Sequence, residues 1–189
     1  MARTLGLTAL LVALAGPAMA HPGHVGSGFL HPLTGTDHLL AMVGVGLWAA
    51  FLSTRRPWAA LLVPVAFMTM MATGAAAGFA GIKLPFSEAG ILASVLMLGG
   101  LIVAAVRLPM AAAMLVVGWF ALLHGYAHAI EAPEVDPGRY IMGFLAATAL
   151  LHALGVGLGK GAQRLVGELG LRALGGLVLA GGAYILVAH

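Results

Sequence analysis

Apolar residues run through this chain in long blocks, and charge is confined to the short breaks between them. Six blocks follow the N-terminal segment, at residues 37–53, 58–80, 87–106, 109–129, 140–158 and 169–188. Each is close to the roughly 20 residues an α-helix needs to cross hydrocarbon. The breaks are Arg55-Arg56-Pro57, Ile82-Lys83-Leu84-Pro85, Arg107-Leu108-Pro109, Glu131 to Arg139 and Lys160 to Glu168. Proline marks four of these five breaks, as expected where a helix must start or stop. The pattern predicts an all-α integral membrane protein of six transmembrane helices. No break is long enough to hold a second domain, so residues 21–189 read as a single six-helix membrane domain.

The first twenty residues have a different pattern. Arg3 gives a short positive start, Leu5 to Ala15 an apolar run, and Ala18-Met19-Ala20 a small-residue cleavage site. Pro17 would end a helix just before that site. Residues 1–20 are therefore expected to be a cleavable signal peptide, the alternative being an uncleaved first helix. Either way residue 21 emerges outside the cytoplasm.

Composition strengthens the membrane reading. The chain is 61% hydrophobic and only 8% charged, where a soluble domain carries about 25% charged residues. Mean hydropathy is +1.05. The pI near 9.8 rests on a net charge of +3, with no basic patch suited to nucleic acid. There is no cysteine, which excludes disulfides, iron–sulfur clusters and thiolate metal sites.

Charge also sets orientation. With residue 21 outside, Arg55, Arg56, Arg107, Lys160, Arg164 and Arg172 fall on the cytoplasmic side, against Lys83 and Arg139 outside. Both termini of the mature chain are then external, and the acidic break with Glu131, Glu134 and Asp136 faces outward. Two halves of three spans each would have opposite orientations, the arithmetic of an inverted 3+3 repeat. The halves share no convincing sequence similarity. Gly74-Ala-Ala-Ala-Gly78 and Gly157-Leu-Gly-Lys-Gly161 have the small-xxx-small spacing that lets helices approach closely, and Gly44, Gly46, Gly99, Gly118, Gly175 and Gly182 can act likewise.

Against this hydrocarbon background two polar clusters stand out, because ionisable groups inside a membrane are expensive. His31-Pro-Leu-Thr-Gly-Thr-Asp37-His38 opens the first span, and His124-Gly-Tyr-Ala-His128-Ala-Ile-Glu131 closes the fourth. The topology puts both at the outer face. On a helix His124, His128 and Glu131 fall within a wedge of roughly 60°. One face thus offers two imidazoles and a carboxylate to a single ion. The competing reading has two histidines hydrogen-bonding other helices and Glu131 in water. Asp37 and His38 point about 100° apart, so one can bind metal while the other holds an imidazole in place. Asp37 can instead cap its helix, with Thr34 and Thr36 as rivals.

Five further sets of residues have secondary claims. His21-Pro22-Gly23-His24 would start the mature chain, its terminal amine and imidazoles forming a capture arm or merely a loose end. Met42, one turn beyond His38, offers a soft sulfur or plain packing, and Met68, Met70 and Met71 read as packing. Glu88 opens the third span as an auxiliary ligand or an interface residue. His152 lies mid-span in the fifth helix, either as a second station or, more in keeping with its isolation, as a helix-to-helix hydrogen bond. His189 ends the chain and is expected to be solvated.

The order of these features resembles the HupE/UreJ family of nickel/cobalt permeases. The matching pieces are the signal, His21-Pro-Gly-His24, His31-x5-Asp37-His38, the stretch Leu39 to Trp48, and His124-Gly-x-Ala-His128-x-x-Glu131. Leu123 stands where the family often has phenylalanine, a departure that touches packing. The resemblance implies a permease in the bacterial cytoplasmic membrane that imports Ni²⁺ or Co²⁺ as substrate, with no permanently bound cofactor. The metal would be captured by His21 and His24 and stripped of water by His31, Asp37, His38, His124, His128 and Glu131. Two other classes compete: an intramembrane zinc hydrolase using the same histidines, though without an HExxH motif, and a membrane cytochrome with haem held by paired histidines.

Overall fold

The computed structural model describes residues 28–132 and 136–188. All regular structure among them is helical. The helices are α1 (His31–Thr34), α2 (Thr36–Ser53), α3 (Ala59–Phe79), α4 (Ser87–Val103), α5 (Met110–Ile130) and α6 (Pro137–Ala188). Four of them, α2, α3, α5 and α6, are long and apolar enough to cross a membrane, and α4 is a shorter apolar helix of 17 residues. This is the architecture of a multi-pass membrane protein.

The centre of the bundle is α2. From Gly44 to Leu52 every residue is buried, so this helix is wrapped on all sides, as an all-round apolar helix must be. It packs against α3, α4 and α6, while α3 pairs closely with α5. Glycine makes these approaches possible. A side chain at Gly46 would strike the backbone of α6 at His152, and one at Gly125 the backbone of α3 at Met71. Gly74 and Gly99 are closed by backbone in the same way, and Gly175 by the Ile102 side chain, as the small-residue pattern anticipates. Gly157 and Gly161 differ: nothing lies within 4 Å of either, so that pair does not serve helix contact.

Two expectations change in detail. The polar break at 160–168 is not a loop, because helix continues to Leu165 and is interrupted only at Val166 and Gly167. Gly167 adopts φ of +70°, a left-handed conformation that glycine reaches at little steric cost. Lysine, alanine, glutamine, arginine and leucine are good helix formers, and they carry the helix through a stretch whose polarity suggests a turn. Beyond the kink the chain runs back along the bundle: Leu171 meets the position of Gly159, and Leu40 lies against Gly181. Proline does not always end a helix either. Pro64 sits buried in the second turn of α3, inside the helix, where it forgoes one i→i−4 hydrogen bond without ending it.

Candidate metal site

The two polar motifs meet at one end of the bundle, where α2 begins and α5 ends. His31 lies on the single turn of α1, a separate element the hydropathy pattern does not reveal. The Thr34 hydroxyl donates to the His31 carbonyl at 3.0 Å and helps close that turn. The preceding backbone packs on α6, with Gly28 against Tyr140 and Phe29 against Gly143. His31 is thereby held over the start of α2 and the end of α5.

His31, His38 and His128 each offer one ring nitrogen, and these three atoms lie within 4.8 Å of one another. Their rings are in contact, with centroids 4.6 Å apart for His38 and His128 and 4.9 Å for His31 and His128. Three helices therefore supply one imidazole each. His128 is fully buried and stacks on Phe144 at 4.8 Å with an interplanar angle of 15°.

The carboxylates stand behind the imidazoles. The His38 Nδ1–H donates to Asp37 Oδ1 at 2.9 Å, and the His38 backbone N–H donates to the same oxygen at 2.8 Å. With Nδ1 carrying the proton, the Nε2 lone pair is free to bind a cation. Gly35 is the cap residue of α2 and no side chain caps it, so neither threonine takes the capping role. His31 Nε2 lies 3.0 Å from Glu131 Oε2, joining the two motifs across 100 residues. A carboxylate at a helix C-terminus opposes the helix dipole, so Glu131 is placed for its partner rather than for its helix.

His124, one turn deeper than His128, donates from Nδ1 to the Phe120 carbonyl at 2.8 Å. This leaves its Nε2 as an unshared acceptor, fully buried, with the ring centroid 5.4 Å from that of His38. Buried nitrogens without a protein partner recur here: His38 Nε2, His124 Nε2, and both ring nitrogens of His128 and of His152. Leaving a buried polar group unsatisfied costs about 1–3 kcal/mol. Several together weigh against stability in a fold whose total margin is roughly 5–15 kcal/mol. Imidazole nitrogens gathered in this way have the chemistry to hold a divalent transition-metal ion.

The remaining sequence candidates are placed as follows. His21 and His24, like the signal segment, Glu134 and His189, lie outside the described residues. Met42 is fully buried in the apolar core, and Glu88 is exposed in the first turn of α4. His152 is buried and makes no hydrogen bond to a protein group, so it does not tie two helices together. Sequence reasoning missed the aromatic wall. Tyr140 is buried with its hydroxyl unpartnered and its ring 6.1 Å from that of His31. Phe144 stacks on His128, and Phe67 touches His124 and His152. The position of Tyr140 at the start of the fifth predicted span is the one signal that pointed to it.

An apolar helical bundle with converging histidines at one end, each motif backed by a carboxylate, defines a class of membrane protein built around a polar site. The chain belongs to the HupE / UreJ protein family, which matches residues 8–185. It is 43% identical to Protein HupE of Rhizobium leguminosarum bv. viciae, over 96% of this chain and 97% of that protein. No solved structure matches it.

Proposed function

We propose that this protein is a secondary permease that imports a divalent transition-metal ion, Ni²⁺ or Co²⁺, across the cytoplasmic membrane. The observation that carries the reading is the convergence of His31, His38 and His128 from three helices, with ligand nitrogens within 4.8 Å of one another. Imidazole nitrogens suit borderline ions such as nickel and cobalt, whereas magnesium prefers an all-oxygen shell. Membership of the HupE / UreJ family supports the same reading. The hydrolase and haem alternatives draw no support from that family match.

In this mechanism six spans place both motifs at the outer face, the two arms of α6 counting as two crossings. A signal peptide at residues 1–20 is removed, and His21 and His24 collect metal. The ion passes to His38 and His128, with Asp37 holding His38 in the tautomer whose Nε2 is free. Glu131 withdraws from His31 as the ion arrives and frees that nitrogen for coordination. A membrane potential of 100 mV contributes about 2.3 kcal/mol per charge. A divalent ion gains roughly 4.6 kcal/mol, or about three decades of accumulation, so no ATP site is required.

The test is uptake of radiolabelled Ni²⁺ and Co²⁺ at submicromolar concentration in cells lacking their own importers. Wild type is compared with His38→Ala and His128→Ala at matched membrane expression. Uptake by wild type and its loss in both variants is the expected result. Wild type that carries neither metal would overturn the reading.

A further inference from the structure

Below the outer cluster His152 stands alone on α6. It is 2% exposed, and neither ring nitrogen has a protein partner. Its backbone meets α2 at Gly46, eight residues beyond His38, or about 12 Å deeper along that helix. Side chains on a helix tilt toward its N-terminus, and α6 begins at the histidine end, so this imidazole leans back toward the cluster. The nearest aromatic neighbour is Phe67 on α3, whose ring centroid lies 5.1 Å from that of His152 at an interplanar angle of 88°. The same Phe67 ring lies 5.6 Å from His124. His124 in turn presents a free Nε2, its Nδ1 being committed to the Phe120 carbonyl.

A purely structural histidine at this depth would hydrogen-bond a neighbouring helix, and His152 does not. An aliphatic side chain would fill the same space without leaving two polar atoms unsatisfied. We propose that His124 and His152 form a second, inner station for a divalent transition-metal ion, separated from direct contact by the Phe67 ring. An ion leaving the outer cluster reaches His124 first, since the His124 ring touches that of His38. It becomes shared with His152 when Phe67 turns aside. Thr148, one turn before His152 on α6 and fully buried, lies with its hydroxyl 4.0 Å from the Met71 sulfur on α3.

This proposal rests on the transport reading, and its test separates the two. Full-length protein in lipid nanodiscs is titrated with Co²⁺, with ligand-field spectra and stoichiometry as readouts, and uptake is measured in parallel. His152→Phe keeps a ring in place and removes both nitrogens. It should lose one bound ion per chain relative to wild type, keep the outer ion, and lower uptake roughly tenfold or more. Retention of the outer ion reports a folded protein, and His152→Leu, read the same way, replaces the variant if that ion is lost as well. Phe67→Leu removes no ligand and should keep both ions; loss of the inner ion there would assign the effect to packing and overturn the station. An unchanged stoichiometry in His152→Phe overturns it whatever happens to uptake. Wild type that binds Co²⁺ at two sites yet carries neither metal sinks the transport reading and leaves the inner station standing.

Discussion

At the histidine end of the bundle buried nitrogens lack partners, while at the opposite end the polar groups are matched. There the Arg107 guanidinium meets Glu168 at 2.6 Å and lies 4.0 Å over the Phe51 ring. Arg172 donates to the Val103 carbonyl at 2.7 Å, and the Trp48 indole donates to that of Val106 at 3.4 Å. The Val103 carbonyl ends α4, where helix geometry leaves acceptors free and the dipole favours a cation. The arginines and Glu168 solve a packing problem and stay partly in contact with solvent, and Trp48 is buried beneath them. The histidines create a problem, because their lone pairs converge in a buried space. Polar residues that satisfy one another stabilise a fold, and polar residues left unsatisfied together point to a ligand.

The sharpest way to break this contrast is His128→Leu. It removes two buried unpartnered nitrogens and restores an apolar side chain of similar size. Uptake should fall at least about 100-fold, beyond the usual effect of losing a supporting residue. Thermal stability in detergent should hold or rise, because the desolvation cost of those nitrogens is gone. A fall of many degrees would make His128 a structural residue and erase the distinction between the ends.

Asp37→Asn comes next. Asparagine can still accept from His38 Nδ1, but without the charge that strengthens the bond and raises imidazole basicity. Metal affinity should drop about 10- to 100-fold while the protein folds normally. Calorimetric titration with Ni²⁺ would measure it, and an unchanged affinity would show that the carboxylate does not support the imidazole. A milder effect follows from pH. Neutral imidazole binds metal and imidazolium does not, so uptake should be full near about pH 7.5 and decline several-fold by about pH 5. Equal initial rates at both values would place proton competition for the ligating imidazoles below about pH 5.

Much of this contrast is written in the sequence. The helical wedge of His124, His128 and Glu131 follows from residue spacing, and the start and end of the apolar blocks bring both motifs to one end. The observed limits of α2 to α5 fall within a few residues of their blocks, whereas the first arm of α6 overruns its block. What spacing cannot supply is the third dimension. Glu131 reads as one more ligand on its helix, yet its partner is His31 on another element. Phe67, Phe144 and Tyr140 look like ordinary apolar residues until tertiary packing sets them against imidazoles. The run 160–168 misled because polarity and helix propensity disagree there, and propensity prevails as far as Leu165. His152 is legible as an oddity, but only the fold reveals that it lacks a hydrogen bond.

The smallest effect belongs to the arginine end. Glu168 is the carboxylate partner of Arg107, and their side chains are 45% and 31% exposed. Water screens such a pair, so its net value is at most about 1 kcal/mol. Arg107 has a second contact, 4.0 Å over the Phe51 ring, that does not involve Glu168. Glu168→Gln should therefore shift the thermal midpoint by only a few degrees and leave initial Ni²⁺ uptake per molecule near wild type. The same loss of one carboxylate charge at Asp37 should leave stability alone and weaken metal binding. Measuring midpoint and uptake for both variants sets the two ends side by side. If Glu168→Gln abolishes uptake, the arginine end is part of the transport path and matched polar groups there do more than hold helices together.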